Sequence, residues 1–400
     1  MNPQFEVTVK TYLDHNATTP MRPEVLEAML PYLQGRFGNA NSIHGWGRQA
    51  KQALEQAREV VASALGAKDK DGIVFVSSGT EADNLALKGA AWAARDRGRH
   101  LVTSAVEHHA VINTCKSLEE QGFDVTLLPV DEDGTIDFGA LRQSLRTETT
   151  VISLMHANNE TGVVFPIAEA TELVRERGIV FHTDAVQTFG RVPIDVESLG
   201  VDLLSISGHK IYGPKGIGAL YVRPGTRMVP HLHGGQQERG RRPGTENVAA
   251  AVGFARAAEL CLASMRAEAE RLTMLRDRLE EAILSRIEGT RRNGHREQRL
   301  PNTSNISFRG ADEESLILAL DLEGVAVAAG AACTSGSLEP SHVLQAMGWQ
   351  PESHGGALRF SLGFGTTQDD IERLIDLLPA VVDRIRAAAA GHTEPALALA

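Results

Sequence analysis

The chain has 400 residues, 42% of them hydrophobic and 23% charged, a composition typical of a globular protein with one large and one smaller domain. Its net charge of −11 argues against nucleic acid or an anionic membrane surface as the main partner. The sequence contains neither an unbroken apolar run of about 18 residues nor a signal pattern. With an odd count of three cysteines, it predicts a soluble protein of a reducing, cytoplasmic compartment.

The first half of the chain alternates strands and helices. Pro23 suits the first turn of a helix over 23–33, and apolar spacing predicts a second helix over 48–65. Strands are predicted at 73–76, 101–104, 125–128, 151–155, 179–183, 202–206 and 218–222. Helical patterns follow most of them, so the fold class is α/β with a largely parallel sheet.

The second half has a different texture. A long helix rich in Ala, Leu, Arg and Glu is predicted from about Gly244 to Ile287. The remaining elements, predicted between 305 and 389, form a smaller α+β unit. We expect the last ten residues, GHTEPALALA, to be frayed.

Two charged residues follow neighbouring strands of the predicted sheet. Lys210 comes directly after the strand at 202–206, and Asp184 ends the strand at 179–183. A lone lysine in a loop is usually a solvated side chain. Together, however, a lysine and a carboxylate at the ligand-binding edge of a sheet suit pyridoxal 5′-phosphate, which needs a Schiff-base lysine and an acid opposite its ring nitrogen.

Three polar turns follow other strands. The small residues of SSGTEADN, around Gly79, precede a helix and can bind phosphate through free amides. Such turns are also common before helices that bind no ligand. His108 can stack on an aromatic cofactor or move protons. A metal site at His108 and His109 is the competing interpretation, but no ligand cluster completes it, so we expect no metal. Asn159 follows a further strand and can reach the ring or a substrate carboxylate.

Three later segments carry further candidates. The loop GGQQERGRRPGTEN, which contains Thr245, is either a solvated turn or a segment for an anion or a subunit interface. Cys333 lies in a run of tiny residues, which indicates a mobile loop that carries a thiol to chemistry elsewhere. Arg359 lies inside an apolar strand, where a substrate carboxylate would balance its charge.

Taken together, these motifs resemble the cysteine desulfurases, enzymes of the class V aminotransferase fold that depend on pyridoxal phosphate. The likeness is closest to group I and its nitrogen-fixation branch. It rests, in order, on YLDHNATTP, SSGTEADN, EHHAV, HANNETG, HTDAVQ, SGHKIYGPKGIG, GGQQERGRRPGTENV, ACTSGSLEPSHVL and LRFSLG. Pro243, where serine is usual, and the alanines before Cys333 are small departures.

The resemblance implies an architecture. It predicts a large cofactor domain over 16–260 with a mostly parallel seven-stranded sheet. The small α+β domain comprises 1–15 and 261–400 and carries the cysteine loop. The resemblance further implies a homodimer that converts L-cysteine to L-alanine and a protein persulfide, without nucleic acid or membrane partners. An iron–sulfur scaffold protein would accept the sulfur, and the likeness to the nitrogen-fixation branch implies a link to nitrogenase.

The resemblance also implies a role for each matching residue. Lys210 binds the cofactor and moves the substrate Cα proton, and Asp184 pairs with the ring nitrogen. His108 stacks on the ring, Gln187 contacts its phenolic oxygen, and Cys333 attacks the substrate sulfur. The phosphate contacts are Gly79, Thr80, Ser207 and His209, with Thr245 from the partner subunit. Arg359 and Asn159 bind the substrate carboxylate.

Several alternatives stay open. A selenocysteine lyase or sulfinate desulfinase would use the same cofactor, as would a class V aminotransferase. Cys333 argues against the aminotransferase, which needs no thiol. A non-catalytic sulfur carrier or scaffold would need no Lys210 and would be colourless when purified.

Overall fold

A computed structural model describes residues 11–330 and 340–391. Its centre is a seven-stranded sheet, in which most strands are short and buried because they consist of apolar and small residues. The strands are β2 (Ile73–Val76), β3 (His100–Ser104), β4 (Asp124–Leu128), β5 (Thr149–Ser153), β6 (Val180–Asp184), β7 (Leu203–Ser207) and β8 (Gly218–Val222), and β1 (Thr11–Tyr12) lies outside this sheet. Each predicted strand is thus confirmed to within one or two residues at either end.

The order of the strands places five carboxyl ends side by side. The spatial order is β2-β8-β7-β6-β5-β3-β4, and the run from β7 to β4 is parallel throughout. Strand β8 is antiparallel to both of its neighbours, β2 and β7. The predicted mostly parallel seven-stranded sheet is therefore confirmed, and its carboxyl edge collects the polar turns that follow the strands.

Helices cover both faces of this sheet. They are α1 (Pro23–Leu33), α2 (Gly45–Ala64), α3 (Gly79–Ala94), α4 (His109–Glu119), α5 (Phe138–Ser144), α6 (Ile167–Glu172) and α7 (Val196–Leu199). One apolar cluster joins α2 to one face of the sheet, and a second joins α3 and α4 to the other face. This layering buries the sheet on both sides, as a parallel sheet requires.

The long helix α8 (Val248–Arg286) connects this layer to the rest of the chain. Its first half contains an 18-residue window with a mean hydropathy of 1.5, half of it buried, which by length and composition alone would suffice to cross a membrane. This apolar stretch packs against α1 and α2, and Phe254 and Ala257 are fully buried there. Helices inside the cores of water-soluble proteins pass the same test, so the packing accounts for the composition.

The remaining elements lie farther along the chain, and most of them contribute to a third apolar cluster. They are β9 (Thr290–Arg292), β10 (Thr303–Phe308), α9 (Glu313–Leu322), β11 (Val325–Ala326), α10 (His342–Ala346), α11 (Pro351–His354), β12 (Gly356–Ser361) and α12 (Gln368–Gly391). Strands β9, β10 and β12 form an antiparallel sheet, and β1 pairs with β11, which joins the N-terminal segment to this part. Leu13 belongs to this third cluster, whereas Val343 and Leu344 of α10 pack in the cluster that joins α2 to the seven-stranded sheet.

Candidate active site

A cavity of about 180 Å³ lies at the carboxyl edge of the sheet, where β6 and β7 end. Nine of the ten residues predicted to bind the cofactor line it, together with the predicted substrate residue Arg359. The nine are Gly79, Thr80, His108, Asn159, Asp184, Gln187, Ser207, His209 and Lys210. The topology thus brings together residues as distant in the sequence as Gly79 and Arg359, which are 280 positions apart.

Lys210 occupies the short turn Gly208–Lys210 directly after β7. Its Nζ donates hydrogen bonds to the backbone carbonyls of Asn16 and Ala17, the second at 2.8 Å. These two carbonyls hold the amine at the cavity wall, against the turn that follows β1. A lysine amine in this position can act as a nucleophile toward a carbonyl group in the cavity.

Two buried carboxyl groups face the same cavity. Burial raises the pKa of Asp184 to about 6, although the Val186 N–H, at 2.9 Å from Oδ1, and the charge of Lys210 favour its ionised form. Burial, reinforced by the charge of Asp184, raises the pKa of Asp83 well above its usual range. Two neighbouring carboxylates in a low dielectric do not both ionise. Asp184 therefore carries the negative charge, and Asp83 keeps its proton.

His108 caps the N-terminus of α4. Its Nδ1 accepts a hydrogen bond from the Ala110 N–H at 3.1 Å, which leaves the ring proton on Nε2. Burial, together with the charge of Lys210, lowers the pKa of His108 to about 4. The ring is therefore neutral near pH 7, and its flat face is suited to stacking on an aromatic ligand in the cavity.

A metal ion is an alternative occupant of this cavity. Asp83, His108 and Asp184 each offer one ligand atom, and the three atoms lie within 4.8 Å of one another. However, the amine of Lys210 and the guanidinium of Arg359 line the same cavity and oppose a bound cation. This charge distribution favours an organic ligand with anionic groups.

One end of the cavity is suited to a phosphate group. Helix α3 begins there at Gly79, and the first amides of a helix lack carbonyl partners within it. A Cβ at Gly79 would lie 2.7 Å from Val186 Cγ2, so glycine is required for this close approach. The buried hydroxyl of Ser207 faces the same space, and it has no hydrogen-bond partner among the residues that the structure describes. An orphaned hydroxyl beside free amides fits an anion.

The other end of the cavity carries the buried guanidinium of Arg359. The sequence predicts a substrate carboxylate as its partner, and the structure adds a second one, because Nη2 forms an ion pair with Asp14 Oδ1 at 2.7 Å. Nη1 donates to the carbonyl of Asn159 at 3.1 Å, and Nε has no partner in the described part of the chain. Asp14 thus offsets the cost of burying the arginine, while Nε is left for a ligand.

Gln187 lies just beyond Asp184 in the turn that follows β6. Its Nε2 donates to the Asn16 carbonyl at 3.0 Å, and its Oε1 accepts from Arg191 Nη1 at 2.7 Å. The amide is therefore held from both sides at the cavity wall.

Thr245 is the one predicted cofactor residue that does not line this cavity. It lines a separate cavity with Glu238 and Arg242. Arg242 binds Glu81, in the first turn of α3, with Nε 2.8 Å from Oε1, so the Thr245 loop is attached beside the phosphate end. Within one protomer Thr245 does not line the cavity of Lys210, and its contribution to a partner subunit stays a prediction.

The three cysteines differ in what the structure describes. Cys333 lies outside the described residues. Cys115 and Cys261 are buried in α4 and α8, and burial raises the pKa of Cys115 to about 12 and that of Cys261 to about 11. Both thiols stay protonated near pH 7 and pack as small, largely apolar groups, and Cys261 Sγ also donates a hydrogen bond to the Ile211 carbonyl at 3.3 Å.

Sequence analysis missed four residues around this cavity, namely Asp14, Asn16, Asp83 and Arg191. Three of them stand inside quoted motifs, because Asp14 and Asn16 belong to YLDHNATTP and Asp83 to SSGTEADN. A polar residue in a segment already assigned to the site is the signal that could have identified them. Arg191 follows its motif by a few residues and carries no such signal.

Comparisons with known proteins agree with this geometry. Residues 11–374 match the family model described as aminotransferase class-V. The chain is 51% identical to cysteine desulfurase IscS of Dictyoglomus turgidum, over 94% of this chain and 95% of that protein. It is also 51% identical to a cysteine desulfurase of Trichormus azollae, over 94% of each chain. Among solved structures, a NifS-like protein superimposes with a TM-score of 0.88 at 36% identity, covering 94% of this chain and 99% of that one.

Proposed function

This chain belongs to the class V aminotransferase family as a cysteine desulfurase, and we propose that it uses pyridoxal 5′-phosphate to remove sulfur from L-cysteine. The observation that carries the proposal is the position of Lys210 and Asp184 in one cavity with Arg359. A lysine, a buried carboxylate and an arginine are what a cofactor aldehyde, its ring nitrogen and an amino-acid carboxylate would each need.

The residues present fit this cofactor. The amides at Gly79 and Thr80, with Ser207 and His209, would hold its phosphate. Asp184 would bind the ring nitrogen, His108 would stack on the ring, and Gln187 would donate to the phenolic oxygen. When bound, the cofactor supplies an electron sink for the pair of electrons left at the substrate Cα.

Lys210 has two proposed roles. Its amine would hold the cofactor through the aldehyde group, and the same amine, once free, would take the proton from the substrate Cα. The carbonyls of Asn16 and Ala17 keep Nζ at the cavity wall between these two tasks. Asp184 stays ionised throughout, because the Val186 N–H and the lysine charge favour the carboxylate.

Arg359 and Asn159 would bind the substrate carboxylate. Arg359 lines the cavity, its buried Nε has no partner among the described residues, and Asp14 holds its Nη2. This arrangement would hold the substrate by its carboxylate. The thiolate of Cys333 would attack this sulfur, the carbon–sulfur bond would break, and alanine and a persulfide on Cys333 would result.

A homodimer is the proposed assembly. Large apolar side chains of α1, of the start of α2 and of the segment between them are exposed, and apolar surface of this kind often marks an interaction site. They are Leu26, Leu30, Leu33, Phe37, Ile43 and Trp46, with Ile43 91% exposed. A second copy on this face would cover them, and Thr245 of the partner would reach the phosphate.

We place the large domain at 16–260 and the small domain at 1–15 and 261–400. An iron–sulfur scaffold is the proposed acceptor of the persulfide sulfur, and the cytoplasm the proposed compartment. The link to nitrogenase assembly is a further proposal. It rests on the likeness of the cysteine segment ACTSGSLEPSH to the nitrogen-fixation branch.

The test is the stoichiometry of the purified protein with L-cysteine. We expect a yellow protein that forms alanine and, with a thiol reductant, sulfide in a one-to-one ratio. A colourless protein would favour the sulfur carrier, and pyruvate or glutamate formation without sulfide would favour an aminotransferase. A preference for selenocysteine or cysteine sulfinate would favour the other two lyases.

A further inference from the structure

We infer that Arg191 is a positioning residue which sets the direction of the Gln187 amide, so that this amide presents a hydrogen-bond donor to the phenolic oxygen of the cofactor. The inference rests on the proposed function, because it concerns how that cofactor is held. It adds a residue that does not itself line the cavity.

The chemistry of the contacts determines the orientation of the amide. A guanidinium can only donate, so the atom of Gln187 that lies 2.7 Å from Arg191 Nη1 must be the carbonyl oxygen Oε1. A backbone carbonyl can only accept, so the atom 3.0 Å from the Asn16 oxygen must be Nε2. Both ends of the amide therefore require the same orientation, with the NH₂ group on the cavity side.

The guanidinium of Arg191 donates hydrogen bonds to backbone carbonyls and to the side-chain amide of Gln187. Its Nη1 also donates to the Gln187 carbonyl at 2.7 Å, and Nη2 reaches the His15 carbonyl at 3.3 Å and approaches that of Lys210 at 3.5 Å. Among residues 11–330 and 340–391, no carboxylate forms an ion pair with it. A partly buried cation without an acid is costly, and burial lowers the pKa of Arg191. An apolar side chain could fill a purely structural role without the desolvation cost of burying a charge.

The consequence concerns the charge on the cofactor oxygen. A donor beside the phenolic oxygen stabilises its anionic form, whereas a flipped amide would place Oε1 there and destabilise that form. The pH at which the visible band of the bound cofactor changes therefore reports which face of the amide is presented.

Other titratable or charged groups surround Gln187 and Arg191, and none of them changes between the wild type and the variants that are titrated. They are Asp14 and His15 after β1, Asp83 on α3, His108 on α4, Asp184 at the end of β6, His209, Lys210 and Tyr212 after β7, Cys261 on α8, and Arg359 on β12.

The experiment titrates the absorbance of the purified holoenzyme against pH. Arg191→Met should raise the pH midpoint by about one unit, because only the Asn16 carbonyl then holds the amide and the turned orientation becomes populated. Arg191→Lys should restore most of the difference, since an ammonium also only donates. Gln187→Glu, which mimics a turned amide without changing Arg191, should raise the midpoint at least as much. The control is Arg266→Met, because Arg266 is 93% exposed on α8.

A double-mutant cycle separates positioning from a general structural effect. In a Gln187→Ala background, Arg191→Met should cause no further shift. An equal shift in both backgrounds, or an unchanged midpoint in Gln187→Glu, would overturn the inference. If Arg191→Met does not fold, the Gln187→Glu titration still decides. A wild-type protein without a visible band would instead refute the proposed cofactor, whereas a coloured, active protein with insensitive midpoints refutes this inference alone.

Discussion

Arg58 and Glu238 form a bidentate ion pair with N–O distances of 2.6 and 2.8 Å, although their side chains are only 1% and 2% exposed. Glu238 Oε2 also accepts from the Phe75 N–H at 2.9 Å, so it pairs with the outer edge of β2. Glu238 and Arg239 both have positive φ values, of 48° and 57°. The buried pair thus holds in place the strained backbone that leads to Thr245.

Breaking the ion pair between Arg58 and Glu238 should lower the free energy of unfolding substantially. Arg58→Met would leave the Glu238 carboxylate buried without its partner, and we expect a loss of about 3–5 kcal/mol in the free energy of unfolding. Denaturant titration followed by circular dichroism measures it. The matched control is Lys68→Met, because Lys68 is 80% exposed and its ion pair with Glu197 should contribute less than about 1 kcal/mol. Similar losses for both variants would contradict the importance of burial.

Glu107 should make stability depend on pH. It is buried, and burial raises its pKa to about 8, although Ser104 Oγ and the Met155 N–H donate to Oε1. Since the folded-state pKa lies above the unfolded value, the neutral carboxyl contributes stability that is complete below about pH 4.5 and is lost as the pH rises to about 8.

Glu107→Gln removes this titration but keeps an acceptor oxygen. We expect the variant to gain stability relative to wild type as the pH rises through that window, at up to about 1.4 kcal/mol per pH unit. Chemical denaturation at several pH values is the measurement, with the exposed Glu281→Gln as the control. Parallel pH profiles for wild type and Glu107→Gln would show that the assigned pKa is wrong.

Lys210→Ala should abolish turnover. Without the amine, no covalent bond to the cofactor forms, and nothing at this position takes the Cα proton. Intact-protein mass spectrometry after borohydride reduction should find the cofactor mass on wild type and not on the variant, although cofactor can remain bound noncovalently. Alanine production at the wild-type rate would refute the assignment.

Arg359→Ala should mainly weaken cysteine binding. Loss of a buried charge pair with the substrate carboxylate typically costs about 2–5 kcal/mol, which corresponds to a weaker apparent affinity of at least tenfold. A spectroscopic titration with cysteine measures it. Asp14→Asn serves as the comparison, because it disturbs the arginine's other partner and should have a smaller effect. Binding by Arg359→Ala that matches wild type would exclude this role.

Cys333→Ser separates a desulfurase from a transaminase. The variant should bind cofactor and cysteine yet release almost no sulfide or alanine, because its hydroxyl does not accept sulfur. Cys115→Ser and Cys261→Ser should keep most activity, since these thiols are buried and protonated. Peptide mass spectrometry after cysteine treatment should locate the added sulfur on Cys333. Sulfur at another cysteine would contradict the mechanism.

The parts predicted from sequence are those that local patterns determine. Asp184 ends the buried strand β6 and Lys210 lies three residues after β7, and parallel strands bring such ends to one edge. The pair Asp14–Arg359 spans 345 residues, and Arg58–Glu238 spans 180, so no local pattern could reveal either. The ion pair of Arg359 with Asp14 was missed for this reason, because its partner comes from the other end of the chain.

The reversed direction of β8 has a consequence for how the enzyme folds. The ten residues between β7 and β8 form a hairpin connection that carries Lys210, closed by the pairing of Ser207 with Gly218 and by the Gly208 N–H to the Ile217 carbonyl at 3.0 Å. Contacts close in sequence form early, whereas those between distant segments wait for the chain to collapse. We expect the lysine to reach its native position before the first and last strands meet around Arg359, so that the folding chain acquires its nucleophile before its substrate specificity.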